Sequence, residues 1–207
     1  MNDETSGLRN NDQDTKNPFV IFNAWLNSAV TSEINDPSAM SLASVDSNGM
    51  PNLRIVLMRR FDDRGFCFFT NLESQKGKEL LACNNAAAVF HWKSLRKQIR
   101  IRGQVELVRD AEADDYFNSR PRGSQIASTA SKQSSPLPER KEFDDAMKLL
   151  EEKYKGQAVP RPPNWSGFRL MPLSIEFWED GEFRTHDRLR FDRDKLDSPW
   201  NTVWLYP

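Results

Sequence analysis

The sequence predicts an α+β fold, a small β-barrel of mainly antiparallel strands with helices at its edges. Three observations carry that expectation. Apolar and polar residues alternate with a period of two in at least five segments. Those segments are joined by short connections marked with Gly, Asn and Asp, which suit antiparallel neighbours. Segments of helical period lie around the strands instead of alternating with them. At 207 residues and 38% hydrophobic content, one domain can bury a sizeable core.

Asn17-Pro18 supplies a cap and a first-turn proline, and Phe19, Phe22, Trp25, Leu26, Ala29 and Val30 follow at helical spacing. From Met40 the period becomes two. Met40 and Leu42 alternate with Ser41 and Ala43, Asn48-Gly49 marks a turn, and 53–58 is rich in branched apolar residues, which together read as a hairpin. A second turn at 62–65 leads into a strand over 66–70. Ser74 can then cap a short helix reaching Ala82. Residues 86–92 and 98–108 read as two more strands, with Ile99, Ile101, Val105 and Leu107 inward and a bulge at Gly103.

Asp110 caps a helix to about Asn118, and another runs from Pro138 to Lys155, anchored by Phe143, Met147, Leu150 and Tyr154 before Gly156 stops it. Residues 119–136 between them are polar and read as a binding loop or a disordered linker. Pro160 to Pro163 is a stiff connector. In the next strand Ile175 and Phe177 alternate with Glu176 and Trp178, and Asp180-Gly181 is a hairpin turn. Beyond it Arg184, His186, Arg188 and Arg190 alternate with Phe183, Thr185, Asp187, Leu189 and Phe191, which places the basic residues on one strand face.

With 29 basic and 30 acidic residues the net charge is -1, so no global field attracts nucleic acid or an anionic membrane, and any anion site is local. Cys67 and Cys83 form no CxxC and have no histidine at ligand spacing, so both are expected as reduced thiols, and no metal site is expected. Residues 1–16 are polar, lack a signal or transit pattern and read as a flexible tail, leaving 17–207 as a single domain. No apolar run approaches the ~20 residues of a membrane span, which predicts a soluble, cytoplasmic protein.

Several cation clusters suggest chemistry. Arg54 and Arg59 flank Ile55-Val56-Leu57. Ser74-Gln75-Lys76 opens a helix, where free amides favour a phosphate, although a plain cap reads the same way. Arg120, Arg122, Ser124 and Gln125 offer a second anion clamp or a charged disordered segment. The row at Arg184, His186 and Arg188 faces an anion or is a solvated edge strand. His91 reads as a structural histidine. There is no Gly-x-Ser-x-Gly, no Gly-rich dinucleotide turn and no paired catalytic carboxylates. Residue chemistry alone reaches a barrel with two or more phosphate-binding clusters and no reaction.

Taken in order, these runs resemble the pyridoxine/pyridoxamine 5'-phosphate oxidase family over about 17–207. The resemblance rests on Arg54-Ile55-Val56-Leu57, on Phe69-Thr70-Asn71 with Ser74 and Lys76, and on His91-Trp92 with Gln98. It continues through Tyr116-Phe117, Ser119 to Ile126, Ser131-Lys132-Gln133-Ser134, Ile175 to Trp178, and Arg184-Thr185-His186-Asp187-Arg188.

The resemblance implies an FMN-binding split β-barrel of Greek-key type, a homodimer with FMN at the subunit interface, and C-terminal strands within 168–207 that complete the site. It implies that Arg54 and Lys76 hold the flavin phosphate, beside Gln75, which stands where the family usually has arginine. Ile55, Val56, Leu57, Met58, Arg59, Phe69 and Thr70 would contact the rest of the cofactor, with Gln98, Gln133, Ser134, Trp178 and Arg188. Arg59, Tyr116, Arg120 and Ser124 would clamp the substrate phosphate, and Arg184 and His186 would position the pyridine ring. The implied reaction converts pyridoxamine or pyridoxine 5'-phosphate to pyridoxal 5'-phosphate, with O2 reduced to H2O2 and ammonia released from the amine. Ala127-Ser128-Thr129 departs from the family's usual stretch, and Trp204 stands where an arginine is common.

Overall fold

The structure is a computed structural model that describes Leu8 and residues 16–207. The expected tail over 1–16 therefore lies outside the described residues, except at Lys16 and Leu8. Leu8 is fully buried, and its N–H donates to Glu179 Oε2 at 2.6 Å.

The first helix, α1 (Pro18–Ser32), starts where the sequence puts it. The Asn17 side chain accepts from the Phe19 N–H, and Pro18 occupies the first turn. Phe19, Phe22, Trp25 and Ala29, spaced three or four apart, are buried. Phe22 sets its ring edge-on against Phe66 at 4.8 Å and Phe90 at 5.3 Å, which seats α1 on the sheet. Fully burying one such ring is worth roughly 1.5–3 kcal/mol.

The strands are β1 (Ala39–Val45), β2 (Pro51–Leu57), β3 (Arg60–Asp62), β4 (Gly65–Asn71), β5 (Asn85–Trp92), β6 (Lys97–Leu107), β7 (Trp165–Glu179), β8 (Asp187–Asp192) and β9 (Asn201–Trp204). They form one antiparallel sheet in the order β2-β1-β5-β6-β7-β4-β3, with β8 on β7 and β9 on β8. The chain leaves the β1–β2 hairpin, builds β3–β4 on the far side, and returns to lay β5 beside β1.

The 15-residue β7 is the spine. It pairs with β6 along its length, with β4 through 165–170, and with β8 through 174–179. The sequence reading caught only the second half of β7, because its first half is buried on both faces and does not alternate. The expected bulge is present between Arg102 and Gly103. A Cβ at Gly103 would lie 2.0 Å from the Met171 carbonyl oxygen, so the close approach there requires glycine.

Four further helices are α2 (Gln75–Ala82), α3 (Asp110–Ser119), α4 (Arg122–Ala130) and α5 (Arg140–Lys153). The presence of α4 corrects the reading of 119–136 as a loop or linker. Ile126 is its one buried residue, packed with Phe117, Val159 and Trp165, so the helix depends on tertiary contacts that leave almost no apolar period. α5 is confirmed but buries no residue fully.

Leu107 was expected inward and is 46% exposed, with Val108 buried in its place as the chain turns into α3. The basic row is corrected as well. Pairing with β7 ends at Glu179 opposite Asp187, so Arg184 and His186 precede the strand. Arg184 sits in a 3-10 turn over Glu182–Arg184, and Phe183 and Arg184 take φ of 53° and 64°. Without a partner strand nothing holds 181–186 extended.

Candidate active site

A cleft of about 860 Å³ opens between β2, β4, the start of α2 and the α3–α4 corner. Ile55, Val56, Leu57 and Arg59 form one wall, Phe69 and Thr70 of β4 another. Lys76 and Gln133 also line the cleft, as do Tyr116, Arg120 and Ser124. These residues are separated by up to 78 positions in sequence, and the sheet brings them together.

Ser74 caps α2 by accepting from the Gly77 N–H at 3.2 Å, which fixes the helix start and with it Lys76. The Lys76 ammonium donates to Thr70 Oγ1 at 2.9 Å and to Gln133 Oε1 at 3.2 Å. Its partners are thus neutral. Burial, and secondarily the nearby Arg54 charge, holds its pKa below the usual lysine range.

In the same lining Phe69, Tyr116 and Trp165 form an aromatic shelf, with Phe69 stacked on Tyr116 at 4.1 Å and on Trp165 at 5.5 Å. The Arg120 guanidinium lies 4.9 Å from the Trp165 ring and donates to Ser128 Oγ at 2.7 Å. Burial lowers its pKa from the usual arginine value; Tyr116 opposes that shift and Arg59 adds to it. Among the described residues neither Lys76, Arg59 nor Arg120 makes an ion pair with a carboxylate. Two cation sites in one cleft, Lys76 and Arg120, therefore each present positive charge that an anion would relieve.

Sequence reasoning missed Trp165 and Ser128 as members of this site. Trp165 carried one signal, a large aromatic directly after the proline-rich connector. Ser128 carried none.

Arg54 and Gln75 turn elsewhere, although both adjoin cleft residues. Arg54 donates to the Leu42 carbonyl at 3.2 Å, to Ser44 Oγ at 2.5 Å and to Glu79 at 3.2 Å. Gln75 Nε2 donates to Glu79 Oε1 at 2.8 Å, and Asn52 to the same oxygen at 3.0 Å. Glu79 is 4% exposed. Its burial alone would raise its pKa, but bonds from Ser44, Asn52 and Gln75 and the Arg54 charge outweigh this and hold it at about 2. Met58 is buried.

Gln98, Trp178, Arg184, His186 and Arg188 gather in a second region. Gln98, Trp178 and Arg188 occupy one register across β6, β7 and β8, a row of three strand neighbours. Arg188 makes a two-pronged pair with Glu176, at 2.9 and 2.8 Å, and Arg100 reaches the other Glu176 oxygen at 3.0 Å. The His186 ring lies against Trp178 at 4.6 Å. Arg184 is exposed on the turn, and Ser134, φ 71°, is exposed beside Gln133. None of these six predicted residues lines the cleft of the same chain. His91 is exposed on β5. Cys67 and Cys83 are free, and burial pushes the Cys67 thiol up to about 11, which keeps it protonated. Among the described residues no group of three or more His, Cys, Asp or Glu forms a metal-binding cluster, and no helix is long and apolar enough to cross a membrane.

A curled antiparallel sheet with peripheral helices and a cation-bearing cleft defines a split-barrel protein. Comparison with known proteins narrows this further. Residues 26–154 match the family model described as pyridoxamine 5'-phosphate oxidase, and 165–207 match the pyridoxine 5'-phosphate oxidase C-terminal dimerisation region. The pyridoxine/pyridoxamine 5'-phosphate oxidase of Allorhizobium ampelinum is 54% identical over 194 residues, 94% of each chain. That of Nitrobacter winogradskyi is 53% identical over 204 residues, covering 98% of this chain and 96% of its own. Among solved structures, PhzG from Burkholderia lata, in complex with tetrahydrophenazine-1-carboxylic acid, superposes with a TM-score of 0.89 at 33% identity, covering 95% of both chains. A pyridoxamine 5'-phosphate oxidase-related, FMN-binding protein from Nostoc punctiforme shares the fold, with a TM-score of 0.73 at 17% identity, covering 92% of this chain and 98% of its own. The chain belongs to the pyridoxine/pyridoxamine 5'-phosphate oxidase family, a family of oxidoreductases.

Proposed function

We propose that this protein oxidises pyridoxamine and pyridoxine 5'-phosphate to pyridoxal 5'-phosphate with FMN as cofactor and O2 as electron acceptor. The observation that carries the reading is the pair of cation sites, Lys76 and Arg120, that line one cleft without an acidic partner among the described residues. A flavin phosphate and a substrate phosphate fill both.

The residues fit FMN. Lys76, bonded only to neutral groups at the opening of α2, would hold its phosphate, with Arg54 adding charge from behind. The β2 backbone at 55–58, Phe69, Thr70, Gln133 and Ser134 would hold the remainder. Arg59, Tyr116, Arg120 and Ser124 would take the substrate phosphate, with the Arg120 guanidinium held 4.9 Å from the Trp165 ring.

Gln98, Trp178 and Arg188 complete the cofactor site from a second copy of the chain, and Arg184 and His186 reach the pyridine ring from there. Two observations support this homodimeric reading: these residues lie away from their own chain's cleft, and β2 leaves Leu53 and Ile55 65% and 64% exposed beside it. When bound, FMN supplies the hydride acceptor and passes electrons to O2, giving H2O2. The protein's part is to fix the donor carbon of the substrate, exclude water and manage a proton. Ammonia then leaves when water hydrolyses the imine formed from the amine substrate.

Purified protein is expected to be yellow, to bleach on anaerobic addition of pyridoxamine phosphate, and to release peroxide when air is admitted. Protein that stays colourless and inactive with added FMN would overturn the reading. The likeness to PhzG motivates a second one, a flavin oxidase of a different substrate. Equal turnover of phosphorylated and unphosphorylated vitamers, or of neither, would favour it.

A further inference from the structure

The turn over 180–186 contains a pairing that the site description does not use. Asp180 Oδ1 lies 3.1 Å from His186 Nδ1, and the two side chains are 17% and 22% exposed. The imidazole is held on one face by the Trp178 ring, 4.6 Å away and inclined by 42°. Asp180 is itself fixed from two sides: its N–H donates to the Arg96 carbonyl at 3.1 Å, and the Arg96 guanidinium contacts its other carboxylate oxygen.

A competing partner sits at the same nitrogen. The Gly181 N–H points at His186 Nδ1 at 3.3 Å, a contact that needs a lone pair there. The carboxylate needs a proton there. Both cannot be satisfied, and the tautomer follows from which wins. A bond to an ionised acceptor is roughly twice as strong as one between neutral groups, and the carboxylate is also the nearer partner. We propose that Asp180 is a positioning residue that fixes the neutral His186 ring with its proton on Nδ1, leaving Nε2 as a hydrogen-bond acceptor.

The consequence rests on the reading above, in which His186 meets the substrate. An acceptor Nε2 can take the proton that the substrate's hydroxyl or amino group gives up on oxidation: the O–H or N–H bond breaks, an Nε2–H bond forms, and the resulting imidazolium is stabilised by Asp180. With the opposite tautomer the ring could only donate at Nε2. Arg96 anchors the carboxylate, so a three-residue chain Arg96, Asp180, His186 orients one imidazole nitrogen.

The chain has only 2 histidines, so the tautomer can be read directly. Long-range proton–nitrogen correlation of the ¹⁵N-labelled full chain should show one imidazole, assigned by its survival in His91→Gln, with a protonated Nδ1 and an unprotonated Nε2 once the ring is neutral. In Asp180→Ala the Gly181 N–H is left alone at Nδ1, and the proton should move to Nε2. Asp180→Asn, a gentler change that keeps the side-chain shape, should shift the tautomer in the same direction. With FMN-loaded protein each variant should lose kcat by about tenfold or more, with flavin absorbance and KM little changed.

A wild-type ring protonated at Nε2, a tautomer indifferent to both variants, or a tautomer that moves with kcat unchanged would each overturn the proposal. Failure of the oxidase reading is separable from these outcomes, because it would appear as absent flavin binding or turnover in the wild type while the spectrum of His186 still reports on Asp180.

Discussion

The cleft and the β7–β8 region are both rich in cations but treat them differently. Around β7 and β8 four arginines have acidic partners: Arg188 and Arg100 share Glu176, Arg190 pairs with Asp192, and Arg96 with Asp180. In the cleft, Lys76 rests on a hydroxyl and an amide, and Arg120 on an indole face and a hydroxyl. Paired cations that keep part of their hydration, as these do, cost little to hold in place. Unpaired, desolvated cations cost stability until an anion arrives, which marks them as a binding site. Arg54 and Arg59 show the contrast within one segment: Arg54 is engaged by Glu79, and Arg59 lines the cleft.

That comparison breaks if removing a paired partner fails to cost stability, or if removing a cleft cation does. The largest effect is expected at Glu79. Glu79→Ala takes four donors' shared acceptor from a buried position and strands Arg54, costing about 3 kcal/mol, near the lower end for a broken buried pair because Arg54 is partly exposed. Urea denaturation would measure it. The same group gives an acid signature. Its pKa in the folded state is held at about 2 against an ordinary 4.5, so its contribution is complete at neutral pH and is lost as pH falls through that interval. Glu79→Gln should flatten the stability curve between those limits.

Arg120→Ala should act on binding instead. Losing a charged hydrogen bond to phosphate, worth about 2–3 kcal/mol, lowers kcat/KM for the phosphorylated substrate on the order of 30–100-fold. The melting temperature should hold or rise, since a desolvated charge is gone. A fall of several degrees would contradict the assignment of Arg120 to the unpaired class. Glu176→Gln should cost about 1.5–2 kcal/mol of stability, because it weakens two charged bonds to side chains that are partly solvated. Smallest is Ser128→Ala. It removes the one hydrogen bond that steers Arg120 along the shelf, about 1 kcal/mol, and should raise KM roughly fivefold with the flavin spectrum intact.

Much of the fold was legible because local chemistry coincides with the global solution. The Asn17 cap, the buried Phe19, Phe22, Trp25 and Ala29 of α1, the Asn48-Gly49 hairpin, the Ser74 cap and the bulge at Gly103 stand as read, while Val30, read on the same helix face, is exposed. The cleft residues Arg59, Lys76, Tyr116, Arg120 and Ser124 were legible only as an ordered series of runs, since no single motif among them specifies chemistry. The first half of β7 and the helix α4 were not legible: one is buried on both faces, and the other has a single buried anchor, so neither carries a period.

The sequence by itself determined which cations exist, where strands and most helices begin, and which family's runs they follow. Only the tertiary structure decided which cations are neutralised, because Arg54 meets Glu79 and Arg188 meets Glu176 through pairings 25 and 12 residues apart. It also decided that Arg184 and His186 leave the strand. A period of two is a property of the chain, but a strand exists only where a neighbour accepts its hydrogen bonds, and β7 stops offering them at Glu179.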